Sequence, residues 1–203
     1  MNPTNAAEDF RSKYTSSGRI GGMLIDGFFA AIDDLLTPHR DRIRRVLEVG
    51  AGEGFSTERL RAMLPPAVHY EASELLPEQV IAARARNPGI PVREESVYAL
   101  QRETASFDLV ICLEVLEHLE DPETALAELT RVSAGLVLVS VPREPLWCAL
   151  NMARGKYWRH LGNTPGHIQH WSSGGLRRLV NRHAEVVALR RPLPWTIALA
   201  RRA

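Results

Sequence analysis

Two short segments carry side chains that could remove a proton or hold a metal ion. The first reads Glu114-Val-Leu-Glu117-His118, and the second carries His167 and His170. Imidazole changes its protonation state near neutral pH, so a histidine at the edge of a cleft can act as a general base. His118, His167 and His170 are therefore the candidate catalytic residues, and both segments should face one cleft.

The same residues also permit a metal site. If residues 114–118 are helical, Glu114, Glu117 and His118 lie on one face. With His167 or His170 opposite, two carboxylates and two imidazoles could hold Mg²⁺ or Mn²⁺ in an octahedral site. In the metal-free interpretation, this sequence follows a strand, caps a helix and borders the cleft. We adopt the metal-free interpretation and keep the metal as the alternative.

A glycine-rich loop lies upstream, in Val46-Leu-Glu-Val-Gly-Ala-Gly-Glu-Gly-Phe-Ser-Thr57. A short apolar run followed by glycines and a helix-compatible segment predicts a strand, a tight loop and a helix. Gly50, Gly52 and Gly54 lack a Cβ, so a ligand could lie directly against the backbone. The spacing differs from the dinucleotide fingerprint, and Glu53 would repel a pyrophosphate, which favours a neutral or cationic ligand.

An acidic residue follows the glycine loop at the sequence spacing that is typical of a ribose-binding carboxylate. Glu74 follows Gly52 by 22 residues. The segment between them is interpreted as a helix over 57–64, a Pro-Pro break and a strand over 67–73. A carboxylate at the end of this second strand can accept hydrogen bonds from both hydroxyls of a ribose.

Three motifs together resemble one family. VLEVGAGEGFST, Glu74 with LLPEQVIAARARN after it, and SFDLVICLEVLEHLEDPETALAEL look like successive motifs of class I S-adenosylmethionine-dependent methyltransferases. The resemblance covers about residues 46–141. It implies S-adenosyl-L-methionine as cofactor, with the ribose on Glu74, adenine against Leu75, and either Glu95 or Ser96 at the adenine amino group. The cofactor-binding set that it implies is Glu48, Gly50, Ala51, Gly52, Gly54, Glu74, Leu75, Glu95, Ser96 and Cys112.

The residues that follow the fifth strand predict a substrate wall. Residues 142–171 are rich in arginine and aromatic side chains, which suits a planar or anionic acceptor. A solvated helix with its tryptophans in the core is the structural alternative. The candidate substrate-binding residues are Glu114, Arg143, Trp147 and Tyr157.

The family resemblance implies methyl transfer to a small-molecule acceptor, and we expect oxygen as the atom methylated. The pattern Glu-x-x-Glu-His with a later His-x-x-x-Trp is also similar to metal-dependent small-RNA 2′-O-methyltransferases. That RNA activity is one alternative. A protein that binds S-adenosylmethionine without transferring its methyl group is another.

These residues need a scaffold that brings loop ends together. Strand and helix patterns alternate, which predicts an α/β, doubly wound, mainly parallel seven-stranded sheet covered on both faces. The turn at 192–195 is too short for a parallel crossover, so the last strand should be antiparallel. This is the Rossmann-like methyltransferase fold that the resemblance implies. The predicted strands are 46–49, 67–73, 91–93, 107–112, 136–141, 186–190 and 196–200.

One domain is expected over residues 1–203, with an N-terminal lid or helical cap at 10–44. Phe10, Tyr14, Arg19, Phe28 and Phe29 could close on substrate there, although aromatic residues at helical spacing are more often core.

Composition narrows the class of protein. The chain has 203 residues, 45% hydrophobic content and a net charge of +1, which gives no global basic field for nucleic acid but still allows a local patch. No apolar run is long enough to span a membrane and no signal peptide is apparent, so we expect a cytoplasmic protein without a membrane partner. Two cysteines outside any Cys-x-x-Cys pair fit a reducing compartment. The pattern gives no indication of oligomeric state.

Overall fold

A seven-stranded sheet forms the centre of the molecule. The computed structural model describes residues 19–202. The strand order is β3-β2-β1-β4-β5-β7-β6; β7 runs antiparallel to both of its neighbours, and the pairs among the first five strands are parallel. The strands are β1 Arg45–Val49, β2 His69–Glu74, β3 Val92–Glu94, β4 Phe107–Leu113, β5 Ser133–Pro142, β6 Glu185–Arg190 and β7 Trp195–Arg201.

Helices connect these strands and cover the sheet. Asp121 accepts a hydrogen bond from the Thr124 amide at the start of the helix after β4, and Ser172 caps another helix in the same way. Short 3₁₀ helices lie at Thr37–Arg42, Leu116–His118 and Trp158–His160. The α-helices are α1 Arg19–Leu36, α2 Phe55–Met63, α3 Pro77–Arg86, α4 Pro122–Val132, α5 Leu146–Ala153 and α6 Ser173–Val180.

Alternation along the central strands divides the core between the two faces of the sheet. In β4, Leu109 and Ile111 belong to one apolar cluster, and Val110 and Cys112 belong to the other. Successive side chains of a strand point to opposite faces, so a strand buried on both sides is apolar throughout. The sheet is therefore a fixed platform, and its carboxyl edge positions the loops that follow β1, β2, β4 and β5.

The predicted fold class is confirmed, and the antiparallel β7 is part of it. The element ends differ by a few residues. The second strand was predicted from residue 67 but begins at His69, because the Val68 amide donates to the Pro65 carbonyl and closes a turn there. Within the described part of the chain, no helix combines the length and the apolar character that crossing a membrane requires.

The predicted lid, residues 10–44, lies only partly within the described residues. Phe10 and Tyr14 lie outside the described residues, as does the side chain of Arg19. In α1, Phe28 and Phe29 are buried in the core, and the Phe28 ring packs 5.0 Å from that of Trp195. These two phenylalanines thus have the structural role: Phe28 packs α1 against β7, and Phe29 packs beside Phe28 and beneath Arg59 of α2.

Candidate active site

The loop after β1 depends on glycine for its conformation. Gly50, Gly52 and Gly54 have φ angles of 77°, 56° and 82°. A Cβ on Gly50 would lie 2.4 Å from Val115 Cγ2, and one on Gly54 would lie 2.4 Å from Asn87 Nδ2. Side chains at these positions would be strained in both backbone and packing, so the sequence pattern corresponds to a real geometric requirement.

Glu74 joins this loop to the end of β2. Its Oε2 accepts a hydrogen bond of 2.9 Å from the Gly52 amide, and its Oε1 accepts from the Leu75 and Leu76 amides at 2.7 and 3.1 Å. A carboxylate can accept about four hydrogen bonds. Three backbone donors therefore orient Glu74, and at least one acceptor position is left.

A cavity of about 340 Å³ opens beside this loop. Its size lies within the range of small-molecule sites, about 300–1,000 Å³. Eight residues predicted for the site line it, together with apolar side chains from four neighbouring segments. The predicted residues on its wall are Gly50, Gly52, Glu74, Leu75, Glu95, Ser96, Glu114 and His118.

Within the described part of the chain, four residues of the cofactor-binding set do not line the cavity: Glu48, Ala51, Gly54 and Cys112. Ala51 and Cys112 have no exposed surface and pack in the core. Burial raises the pKa of the Cys112 thiol, so this residue is inert packing. Direct contact between these four residues and the cofactor stays a prediction.

Glu48 lies beneath the loop and stabilises it. Its carboxylate accepts hydrogen bonds from the hydroxyls of Ser56, Thr57 and Tyr70 at 2.5, 2.6 and 2.9 Å. Burial raises the pKa of Glu48, although these three hydroxyls act in the opposite direction. Its contacts link β1 to the start of α2 and to β2, so Glu48 supports the loop from inside.

The wall formed by Glu95 and Ser96 is held by buried charges. Arg102 lies between Glu95 and Glu71, with nitrogen–oxygen distances of 3.3 and 3.2 Å. Burial raises the pKa of Glu95, against the lowering effect of Arg102 and Arg93. Arg102 thus stabilises the segment after β3, a role that no motif in the sequence indicated.

Glu114 occupies an unusual backbone position at the end of β4. Its φ is 56°, in the left-handed region. Its Oε1 accepts from Ser140 Oγ at 2.8 Å and its Oε2 accepts from Trp195 Nε1 at 2.8 Å. The expected single helical face for residues 114–118 is therefore wrong, because Glu114 turns toward β5 and β7 and only Leu116–His118 form a short 3₁₀ helix.

Three other polar side chains come together at the cavity rim. One potential ligand atom each from Glu117, His118 and His167 lies within 4.8 Å of the other two. Glu117 and His167 are buried, and His118 is exposed. His170 is not part of this group, and its Nε2 lies 2.9 Å from Asn163 Oδ1. The structure thus brings the two predicted segments together. The cluster consists of Glu117, His118 and His167, and it does not include Glu114 or His170.

Hydrogen bonding determines the protonated nitrogen of His118. Its Nδ1 lies 3.0 Å from the carbonyl oxygen of Gly166. A carbonyl only accepts, so Nδ1 carries a hydrogen and donates this bond. The amides of Ile168 and Gln169 donate to the Glu117 carbonyl at 2.9 and 3.1 Å, which fixes the two segments to each other.

The remaining predicted substrate residues all belong to the insert, residues 142–171. Trp147 is buried, donates from Nε1 to Thr164 Oγ1 at 2.9 Å and packs 5.9 Å from the His167 ring. Arg143 and Tyr157 are half-buried. Of the described residues that line the cavity, none comes from 142–171. The insert therefore packs against His167 without lining this cavity, and its role as a substrate wall stays a prediction.

Several wall residues were missed by sequence reasoning. They are mostly apolar and lie one to four residues from the predicted positions, so proximity to a motif was the only signal available. They are Val49, Glu53, Phe55, Leu76, Gln79, Val97, Tyr98, Leu113, Val115 and Leu119.

Several curated relatives of this chain are named as ubiquinone biosynthesis O-methyltransferases. A ubiquinone biosynthesis O-methyltransferase from Paracidovorax citrulli is 37% identical over 92 residues, covering 44% of this chain and 39% of that protein. One from Xanthomonas axonopodis is 36% identical over 121 residues, covering 56% and 49%. The match thus spans about half the length of these relatives or less.

Solved structures agree on the fold. The magnesium protoporphyrin IX methyltransferase of Synechocystis has a TM-score of 0.69 and 16% identity, with 97% of this chain and 94% of that chain covered. A Pyrococcus horikoshii protein has a TM-score of 0.72 and 14% identity over the full length of both chains. The family described as "Methyltransferase domain" matches residues 25–184. The chain therefore belongs to the class I S-adenosylmethionine-dependent methyltransferase family.

Proposed function

We propose that this protein transfers a methyl group from S-adenosylmethionine to a hydroxyl oxygen of a small molecule. One observation carries the proposal: His118 lines the same cavity as Gly50, Gly52 and Glu74. A candidate base and the candidate cofactor-binding residues thus share one space. Methyl transfer to an alcohol or phenol needs this combination, because the acceptor proton must leave near the transition state.

The groups that line the cavity support the assignment of S-adenosylmethionine to it. The loop around Gly50 and Gly52 would accommodate the methionine part, Glu74 would accept the ribose hydroxyls, and Leu75 would contact adenine beside Glu95 and Ser96. Leu75 lines the cavity and is 57% exposed. Burial of this apolar side chain beneath the adenine ring would contribute favourably to the free energy of cofactor binding. When bound, the cofactor supplies an electrophilic methyl group on a sulfonium.

The chain itself contributes alignment and a base. His118 Nε2 would take the acceptor proton, since Nδ1 already donates to Gly166. Buried Glu117 and His167 would orient the His118 ring and stabilise the imidazolium that forms. Glu114, Arg143, Trp147 and Tyr157 are proposed to shape the acceptor side, Glu114 directly and the others through the insert. Most of the acceleration would come from alignment and exclusion of water.

The two curated relatives cited above are O-methyltransferases, which favours oxygen as the atom methylated, and phenols are the first acceptors to test. The test is transfer of radiolabelled methyl from S-adenosylmethionine to a panel of small phenols and catechols, for wild type and His118→Ala. We expect labelled methyl ethers from wild type, a loss of kcat of about 10²–10⁴-fold in the variant, and unchanged cofactor affinity. Cofactor binding without transfer to any acceptor would instead indicate a non-catalytic binding protein.

A metal-dependent RNA 2′-O-methyltransferase is the second candidate, and the cluster of Glu117, His118 and His167 favours it. One carboxylate and two imidazoles within 4.8 Å could bind Mn²⁺ or Mg²⁺, with solvent and acceptor oxygens as further ligands. Transfer to RNA ends that is lost with a chelator and restored by Mn²⁺ would support this candidate. Activity that is indifferent to the chelator would exclude it.

A further inference from the structure

The tip of the insert, residues 154–161, exposes two large apolar side chains. Trp158 is 64% exposed and Leu161 is 78% exposed. They flank a single 3₁₀ turn, in which the Leu161 amide donates to the Trp158 carbonyl at 3.2 Å. Neighbouring apolar side chains that stay in water carry a hydration cost, and such pairs are typical of contact surfaces.

The backbone holds this tip in an unfavourable conformation. Tyr157 and Leu161 have φ angles of 57° and 49°, in the left-handed region. This conformation costs about 1–2 kcal/mol for a residue with a Cβ. Glycine or asparagine would be favoured at an exposed position of this kind. An exposed leucine there is therefore unfavourable in both conformation and solvation.

The base of the tip is anchored. Asn151 Nδ2 donates to the Gly162 carbonyl at 2.8 Å and to Thr164 Oγ1 at 3.1 Å. A Cβ on Gly162 would lie 2.1 Å from the Cys148 carbonyl oxygen, so the chain is packed tightly against α5. The tip is thus presented from a fixed support.

The charged side chains within the tip carry one sign of charge. Arg154, Lys156 and Arg159 are exposed within it, and His160 is exposed beside them. No Asp or Glu occurs between residues 145 and 184, in a chain whose overall charge is only +1. The basic charge is therefore concentrated in this segment and balanced elsewhere.

We propose that the insert tip binds the surface of an anionic lipid bilayer. Tryptophan favours the interface between headgroups and acyl chains, leucine favours the layer just beneath, and lysine and arginine bind anionic headgroups. Exposed aliphatic surface at Leu161 favours a bilayer over single-stranded nucleic acid, which would reward stacking surfaces instead. This docking is independent of the methyl-transfer proposal.

Vesicle flotation with the full chain tests the proposal. We expect binding to vesicles of phosphatidylcholine mixed with phosphatidylglycerol, little binding to phosphatidylcholine alone, and weaker binding at high salt. The variant Trp158→Ser/Leu161→Asn should bind about tenfold more weakly or worse. Ile81→Ser is the matched control, because Ile81 is 67% exposed on α3, and it should bind as wild type.

Two charge-reversed double variants distinguish the contribution of the tip to binding from that of the overall net charge. Lys156→Glu/Arg159→Glu should weaken binding by about tenfold or more, while Arg177→Glu/Arg178→Glu, with the same change of net charge on α6, should retain most of it. Equal losses in both pairs would overturn the proposal. So would absence of binding to anionic vesicles, or tip-dependent binding of an RNA oligomer without vesicle binding. The readout involves no catalysis, so it is decided separately from the proposed function.

Discussion

Glu74→Gln should weaken cofactor binding strongly. A glutamine keeps one carbonyl oxygen and replaces the other by an NH₂ group, which cannot accept from the Gly52 amide or from Leu75 and Leu76. It also removes the charge that would bind the ribose hydroxyls. Losing one or two hydrogen bonds to a charged acceptor costs about 1.5–3 kcal/mol each. Titration calorimetry with S-adenosylhomocysteine should therefore show a Kd raised by about 10- to 100-fold or more.

The matched control is Glu94→Gln. Glu94 is the register neighbour of Glu74 across β2 and β3, is exposed and is not among the described residues that line the cavity. The Glu94→Gln variant should bind S-adenosylhomocysteine with the affinity of wild type. Thermal unfolding of both variants separates a binding effect from a loss of fold. A folded Glu74→Gln protein with wild-type affinity would refute the ribose assignment.

Three further predictions follow from individual contacts. Gly50→Ala should lower stability by about 1–2 kcal/mol and displace Val115, which lines the cavity, so urea unfolding and calorimetry should both register the change. Burial raises the folded-state pKa of Glu48 above its unfolded value, so its contribution to stability is present at low pH and is lost as pH rises through the folded pKa. Glu48→Gln cannot ionise, so in urea unfolding it should gain stability relative to wild type as pH rises above 4.5, the ordinary value for a glutamate; no relative change would contradict this pKa direction. Burial and Glu144 raise the pKa of Cys148 to about 11, so mass spectrometry should show much slower alkylation at neutral pH in native than in unfolded protein, and equal rates would be inconsistent with it.

The fold could be predicted from the sequence because its signals are local and repeated. Strands buried on both faces are apolar runs, and the Pro-rich turn before Trp195 is too short for a crossover. The spacing of 22 residues between Gly52 and Glu74 is another such signal. The two residues meet through a 2.9 Å hydrogen bond because β1 and β2 are parallel neighbours.

The details of the site depend on contacts that are distant along the chain. Glu114 is held by Trp195, which lies 81 residues away, and its left-handed φ has no signature in the residue types. The sequence predicts that Glu48, near the end of β1, contacts the ligand. In the structure its buried carboxylate accepts hydrogen bonds from Ser56, Thr57 and Tyr70 and so supports the glycine loop. Likewise, aromatic density in the insert could not distinguish buried Trp147 from exposed Trp158.

A crystal structure of the protein with S-adenosylhomocysteine would test the central claim most directly. The account predicts the nucleoside in the cavity beside Gly50 and Gly52, with its ribose hydroxyls on the Glu74 carboxylate and its base against Leu75. A nucleoside bound elsewhere, or one in this cavity whose ribose does not contact Glu74, would contradict it.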